Sequence, residues 1–442
     1  MKLIIGLMMM AAFQVQPQEV PKAKQGTYAI TNARIETVTN GTIENGTIVV
    51  EADRIVAIGA DVAIPEGAEI IDAAGRELYP GMIDSGTTLG LTEIGSVQET
   101  NDSQEVGDIT PQMEALTAIN PNAVAIPVTR VSGVTTVVAE PSGGTLPGRA
   151  AVINLVGYTP EQMSAGGAKL QVLSWPTSGR RGWWDQRPQS EIDKAAKEAM
   201  DRLNDVFDDA ELYARIDSTY QAGGGDRPPA FAPEMAALLP VVRGEMQLMI
   251  RVNGAKDIEK ALDWVDERGY RAVLSGVSEG WRVADKIAES GVPVIVGPVI
   301  SMPTRPGDRY DRAYANAGLL ASAGVTVALR SGESENVRNL AWNAGFAATY
   351  GLGREDALKA VTINAARALG IDADYGSLEV GKKANFLLSN GDPFEPATEI
   401  TEVFIDGFRV PIDNRHIQLY KEFLNRDSGR LQPVEIVPPA RN

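Results

Sequence analysis

A hydrolytic centre uses a nucleophile with a base beside it, a metal held by imidazoles and carboxylates, or a carboxylate that activates water directly. The 442-residue chain has no cysteine and a single histidine, His416, near its C-terminus. A Ser-His or Cys-His nucleophile is therefore ruled out, and a lone histidine in a polar terminal segment reads as a surface residue. What remains are charged side chains at the ends of apolar runs. Asp84 lies in LYPGMIDSGTTLG (78–90), Glu140 closes GVTTVVAE (133–140) and Arg251 sits in MQLMIRV (246–252). Arg330 closes VTVALR (325–330), with Glu333 just beyond it. A carboxylate-only site of the calcium or magnesium kind needs several oxygens to converge. Glu93, Glu140, Glu279 and Glu333 are the candidates, and nothing in their spacing demands convergence. PSGGT (141–145) is glycine-rich like an anion loop but lacks the following Lys-Ser/Thr and helix, so it reads as a turn. Trp183, Trp184 and Trp281 are candidates to line a pocket, with packing as their ordinary role.

The elements that must position these residues follow a clear order. LYPGMID, GVTTVVAE, RAAVINLVG (149–157), KLQVLSW (169–175), MQLMIRV, RAVLSG (271–276), PVIVG (293–297) and VTVALR read as eight strands. Helical stretches are expected at 189–220, 256–268, 281–290, 311–323, 336–350 and 355–369. Strands alternating with helices in this way predict an α/β fold, a (β/α)8 TIM-type barrel over residues 80–375, whose active face lies at the strand C-termini. The weak point of the pattern is the long loop 90–127 after the first strand. Before the barrel, residues 26–79 alternate as short half-buried strands broken by Asn-Gly and Gly turns. GSLEVGKKANFLLSN and ITEVFIDGFRV, within 376–415, match them at the other end. Both pieces predict one small β-sandwich assembled from the two ends of the chain. Residues 416–442 read as a helix and a Pro-rich tail.

Lys2 followed by the apolar run LIIGLMMMAAF reads as a secretory signal peptide spanning residues 1–20, too short to cross a bilayer as a mature helix. A cysteine-free chain suits an oxidising compartment, and export to the periplasm is the expectation. With a net charge of -17, nucleic acid and anionic membrane surfaces are poor partners.

LYPGMIDSGTTLG resembles the segment that opens the barrel of the amidohydrolase superfamily, a strand ending in P-G-[LMFW]-I-D and then H-x-H. PSGGTLPGRAAVINLVGYTPEQM, MQLMIRVNGAKDIEKAL, GVTVALRSGESENVRNLAWNAGFAATYGLGREDALKAVTINAARALG and YGSLEVGKKANFLLSNGDP extend the likeness to secreted imidazolonepropionase-like and prolidase-like members. The resemblance implies zinc or another divalent metal, held after the first, fifth, sixth and eighth strands. Those positions fall here on Gly86 and Thr88, Arg251, Ser275 or Gly276, and Gly332. Asp84, which in the family supports the first ligand pair, is kept, while Lys169 lies at the wrong end of its strand for a bridging carbamate. Gly, Thr, Ser and Arg cannot hold such a metal, so no metal cofactor is expected. Arg251 and Arg330 are expected to point to the barrel mouth, where either a small carboxylate ligand or an internal partner, Glu140 or Glu333, would meet Arg251. The functional expectation is a non-catalytic binding protein or partner subunit, homo- or hetero-oligomeric, with an active paralogue as one conceivable partner. The alternatives are a divergent hydrolase of dipeptide or non-peptide C–N bonds, with Glu140 or Glu333 as base, and a small-ligand receptor using the barrel mouth.

Overall fold

The computed structural model describes residues 22–180, 185–224 and 227–426. The signal-peptide segment, Trp183, Trp184 and the end of the tail lie outside the described residues. Six strands precede the barrel: β1 (Lys24–Gln25), β2 (Thr27–Glu36), β3 (Thr42–Glu51), β4 (Arg54–Gly59), β5 (Glu69–Asp72) and β6 (Glu77–Pro80). The barrel strands are β7 (Met82–Thr87), β8 (Val134–Ala139), β9 (Gly148–Asn154), β10 (Ser164–Ser174), β11 (Leu248–Val252), β12 (Ala272–Gly276), β13 (Val294–Val296) and β14 (Val327–Leu329). After them come β15 (Phe386–Ser389), β16 (Ile400–Ile405) and β17 (Phe408–Val410).

All eight expected barrel strands form, and they pair in sequence order from β7 to β14. One departs from the expected parallel pattern: β9 runs antiparallel to both β8 and β10. Its flanking links, residues 140–147 and 155–163, are shorter than the dozen or so residues that a parallel crossover needs. The other neighbours are parallel. The seam between β14 and β7 is closed by Gly332 N donating to the Gly86 carbonyl at 3.0 Å. The buried Asp84 carboxylate adds to it by accepting from Ser331 N at 3.1 Å.

Each barrel strand sends at least one apolar side chain inward, including Ile83, Val138, Val152, Val172, Met249, Val273, Ile295 and Ala328, and these form one buried cluster. The outward faces pack against helices. In Ala255–Arg268 the buried Ile258, Ala261, Leu262 and Val265 repeat at three- and four-residue steps, the stripe of an amphipathic helix. The helix expected over 355–369 is two, Arg354–Ala360 and Ile363–Leu369. Between them the Val361 carbonyl accepts from Ile83 N at 2.8 Å, tying the break to β7. A further helix, Pro233–Val242, forms where Pro233 at its start and Pro240 inside it hid it from the sequence pattern.

The terminal pieces build one nine-stranded sheet, in which β15 pairs with β6 and β1 with β17. It encloses its own core of residues such as Ile30, Ile48, Leu78, Phe386 and Phe404. Fully burying each such side chain is worth about 1.5–3 kcal/mol. Among the described residues no helix is long and apolar enough to cross a membrane.

Candidate functional site

Side chains alternate along a strand, so the residue two beyond an inward core residue also points inward. One step of two above Val138, Met249, Val273 and Ala328 stand Glu140, Arg251, Ser275 and Arg330. This second layer is polar where the first is apolar, and it fills the C-terminal mouth of the barrel.

Glu140 is its hub, only 3% exposed. Arg251 Nε lies 3.1 Å from Glu140 Oε2, and Arg330 Nη1 lies 2.9 Å from Oε1. Both are charge contacts rather than aligned hydrogen bonds, since Arg251 Nε and Glu140 Oε1 find no hydrogen-bond partner. Arg330 Nη1 also donates to Ser275 Oγ at 2.6 Å, and Arg251 donates to the Pro141 carbonyl. Burial pulls the Arg251 guanidinium below its ordinary value; the Glu140 charge opposes that shift and the Arg330 charge adds to it. Two glycines make room for this cluster. A Cβ at position 86 would overlap Glu140 Oε1 and fall 2.8 Å from Arg330 Cζ. A Cβ at position 297, two beyond Ile295, would overlap the Arg330 carbonyl and fall 3.1 Å from its Cγ.

Asp84 lies fully buried and is tied to the barrel seam. Burial pushes its carboxyl up to about 6, opposed by hydrogen bonds from Ser331 and Gly86 and by the charge of Arg330. Its bond from Gly86 N is 3.0 Å long. The structure therefore gathers Asp84, Gly86, Glu140, Arg251, Ser275 and Arg330. It does not gather Glu333, which is exposed and accepts from Asn336 Nδ2 at 2.7 Å, while its carbonyl accepts from Thr87 Oγ1. The chain has left the strand by then and turned at Gly332, where φ is 88°. Thr88 starts the loop after β7, its carbonyl accepting from Leu91 N and Thr92 N. The four carboxylates weighed for a calcium-type site do not converge: Glu93 accepts from Asn120 Nδ2 at 3.0 Å, and Glu279 is paired with Arg305.

The family's metal does not fit these residues. No imidazole is present among them; the Arg251 guanidinium stands at a ligand position and the Arg330 guanidinium on the other oxygen of Glu140. Their positive charge would repel a cation. Even the space that a side chain at position 86 would cross is taken by Glu140. Among the described residues there is no group of three or more His, Cys, Asp or Glu placed to hold a metal ion. Glu140 is also badly placed as a general base, being sealed from solvent with a guanidinium beside each oxygen. Sequence reasoning overlooked Gly297 and the Ser331 amide; counting two from Ile295 would have found the first. Trp281 does line a cleft, beside the cluster rather than in it.

A sequence model described as the amidohydrolase family matches residues 310–410. The imidazolonepropionase of Symbiobacterium thermophilum is 37% identical over 116 residues, 23% of this chain and 24% of that protein. The imidazolonepropionase of Shewanella frigidimarina is 65% identical over 34 residues, 8% of each. The matched stretches thus span under a quarter of these curated relatives' length. Over the whole fold, an amidohydrolase from Thermotoga maritima superposes with a TM-score of 0.76 at 24% identity, covering 87% of this chain and 99% of that one. A prolidase bound to N-methylphosphonate-L-proline gives 0.52 at 15% identity, over 87% and 99% of the two chains. Molinate hydrolase gives 0.54 at 16%, over 88% and 95%. The barrel and the terminal sheet thus share the fold of these amidohydrolases, and residues 310–410 carry the sequence match to that family.

Proposed function

We propose that this protein is a non-hydrolytic member of the amidohydrolase superfamily, acting in the periplasm as a binding protein or as the partner subunit of an active relative. One observation carries the reading. The Glu140 carboxylate, clamped between Arg251 and Arg330, fills the mouth of the barrel at the place where the superfamily's first ligand would project. Metal-assisted hydrolysis needs a cation that lowers the pKa of bound water and polarises the scissile carbonyl. This donor set offers a cation nothing but a carboxylate already paired twice.

The test joins metal analysis to an assay. Purified protein is expected to carry no stoichiometric zinc, iron or manganese, and to leave Xaa-Pro dipeptides and N-acyl amino acids uncleaved with or without added Zn2+ or Mn2+. EDTA should leave its melting temperature unchanged. One or two tightly held transition metals per chain, with turnover that EDTA abolishes, would instead establish a divergent hydrolase of C–N bonds.

A further inference from the structure

Beside the filled mouth, a cleft of about 200 Å³ opens between the ends of β12 and β13 and the start of the helix Arg312–Ser322. That is below the ~300–1,000 Å³ of drug-sized pockets, so its occupant is small. Trp281 forms one wall, with Pro298, Ser301, Met302, Thr304 and Arg312 among its other lining residues. Two guanidiniums lie over the Trp281 ring, Arg282 Cζ at 4.1 Å and Arg312 Cζ at 4.8 Å from its centroid.

The two cations are not equivalent. Arg282 is paired with Asp308 and approaches Glu279 at 3.8 Å. Glu279 also holds Arg305, and Asp311 holds Arg309 at 2.6 Å. Around the cleft, then, stand four arginines (282, 305, 309 and 312) and three carboxylates (279, 308 and 311). Arg312 is the one left over: among the described residues its guanidinium meets no carboxylate and no hydrogen-bond acceptor, only the Trp281 face. This is a local positive excess on a chain whose net charge is -17. Ser301 Oγ, on the same cleft, likewise makes no hydrogen bond among the described residues, while Thr304 Oγ1 is engaged with Glu279 at 3.1 Å.

We propose that this cleft binds a small organic carboxylate. The carboxylate sits on the Arg312 fork, which suits its two oxygens, and Ser301 donates to it. The apolar or aromatic remainder lies against Pro298 and Met302, beside the Trp281 ring that holds Arg312 in place. The inference deepens the binding-protein reading and rests on it in one respect only, that the ligand leaves unchanged.

Isothermal titration of the full-length protein with benzoate, and with benzamide as its neutral counterpart, tests the site. Benzoate should bind saturably and benzamide at least tenfold more weakly. Arg312→Gln should weaken benzoate at least tenfold, Arg312→Lys less, and Trp281→Leu should weaken it with the charge intact. Circular dichroism of each variant confirms its fold. No binding of benzoate, equal binding of benzamide, or full binding by Arg312→Gln would overturn the proposal. Incubation with N-benzoylglycine followed by chromatography separates the two claims. Recovery of the intact compound supports the non-hydrolytic reading, whereas cleavage overturns that reading and leaves the carboxylate site, which the titrations decide, standing.

Discussion

Glu140 meets two guanidiniums while each guanidinium meets one carboxylate, so the members of the cluster differ in what their removal leaves behind. Glu140→Gln strands two buried like charges side by side, the situation in which breaking a buried pair costs about 3–5 kcal/mol. Arg251→Met leaves Glu140 still held by Arg330 and frees the Pro141 carbonyl, a loss nearer the ~1.5–3 kcal/mol of a charged hydrogen bond. Urea unfolding of both variants should therefore rank Glu140→Gln as the more damaging; the reverse order would mean the cluster is not centred on Glu140. Asp84 gives a pH dependence of known sign. Its carboxyl is raised by burial to about 6 from the ordinary aspartate value of 3.8, so the folded state holds the proton more tightly than the unfolded chain. Stability from this group is full below pH ~4 and falls as pH rises through 6, by up to about 3 kcal/mol. Asp84→Asn keeps an acceptor for the Gly86 and Ser331 amides, and the wild-type minus variant stability should decline over pH 4–6. A flat difference across that window would rule the burial effect out. Glu140, Arg251 and Arg330 were legible because strand periodicity fixes where they point. Which acid would meet Arg251 was not, because that depends on how the chain turns at Gly332 after β14.

At the level of elements, the eight strand positions could be read from apolar runs, but the direction of β9 could not. Its residues are as apolar as those of its neighbours, and only the brevity of the links on either side records that it turns back. The break between Arg354–Ala360 and Ile363–Leu369 was hidden for a similar reason: the competing partner, Ile83 N on β7, is remote in sequence. β7 also carries a register shift between Asp84 and Thr87, where the chain brings Gly86 against Glu140. That geometry bears on restoring the family motif. Gly86→His with Thr88→His would return two imidazoles to β7, yet the first must displace Glu140 and Arg330, and Arg251 would remain. The double variant is expected to melt below wild type and to gain no zinc-dependent turnover. Turnover that appears with Zn2+ and vanishes with EDTA would show that Arg251 does not occupy the ligand position on β11.

Across the whole molecule, the sheet made from both chain ends and the barrel share more than a boundary. Tyr79, Leu387, Val403, Ile405 and Val410 of the sheet belong to the same buried apolar cluster as Met82, Val134, Ile250 and Leu329 of the barrel. A polar network crosses with them. Asn154 on β9 donates to Tyr375 Oη at 3.0 Å and to Asp406 at 2.7 Å, and it accepts from Asn385 at 3.0 Å. Asp406 and Gly407 form the β16–β17 turn with φ of 48° and 72°, the pair of positive angles that a tight hairpin turn of this kind requires. A Cβ on residue 407 would also overlap the Ala52 carbonyl at the β3–β4 turn, so this one glycine lets the C-terminal hairpin seat on the N-terminal strands. Gly407→Ala should thus cost more than the ~1–2 kcal/mol of a left-handed residue with a side chain, because the two ends must also move apart. If the molecule is one cooperative unit, that loss will appear everywhere at once. All six tryptophans lie between positions 175 and 342, within the barrel segment, so their fluorescence reports on the barrel alone. The variant should lower the fluorescence midpoint in urea, and hydrogen exchange in β2 and β3 should accelerate in step with it. Faster exchange in β2 and β3 beneath an unmoved fluorescence transition would mean that the terminal sheet unfolds separately, and that the shared cluster and the Asn154 network do not couple it to the barrel.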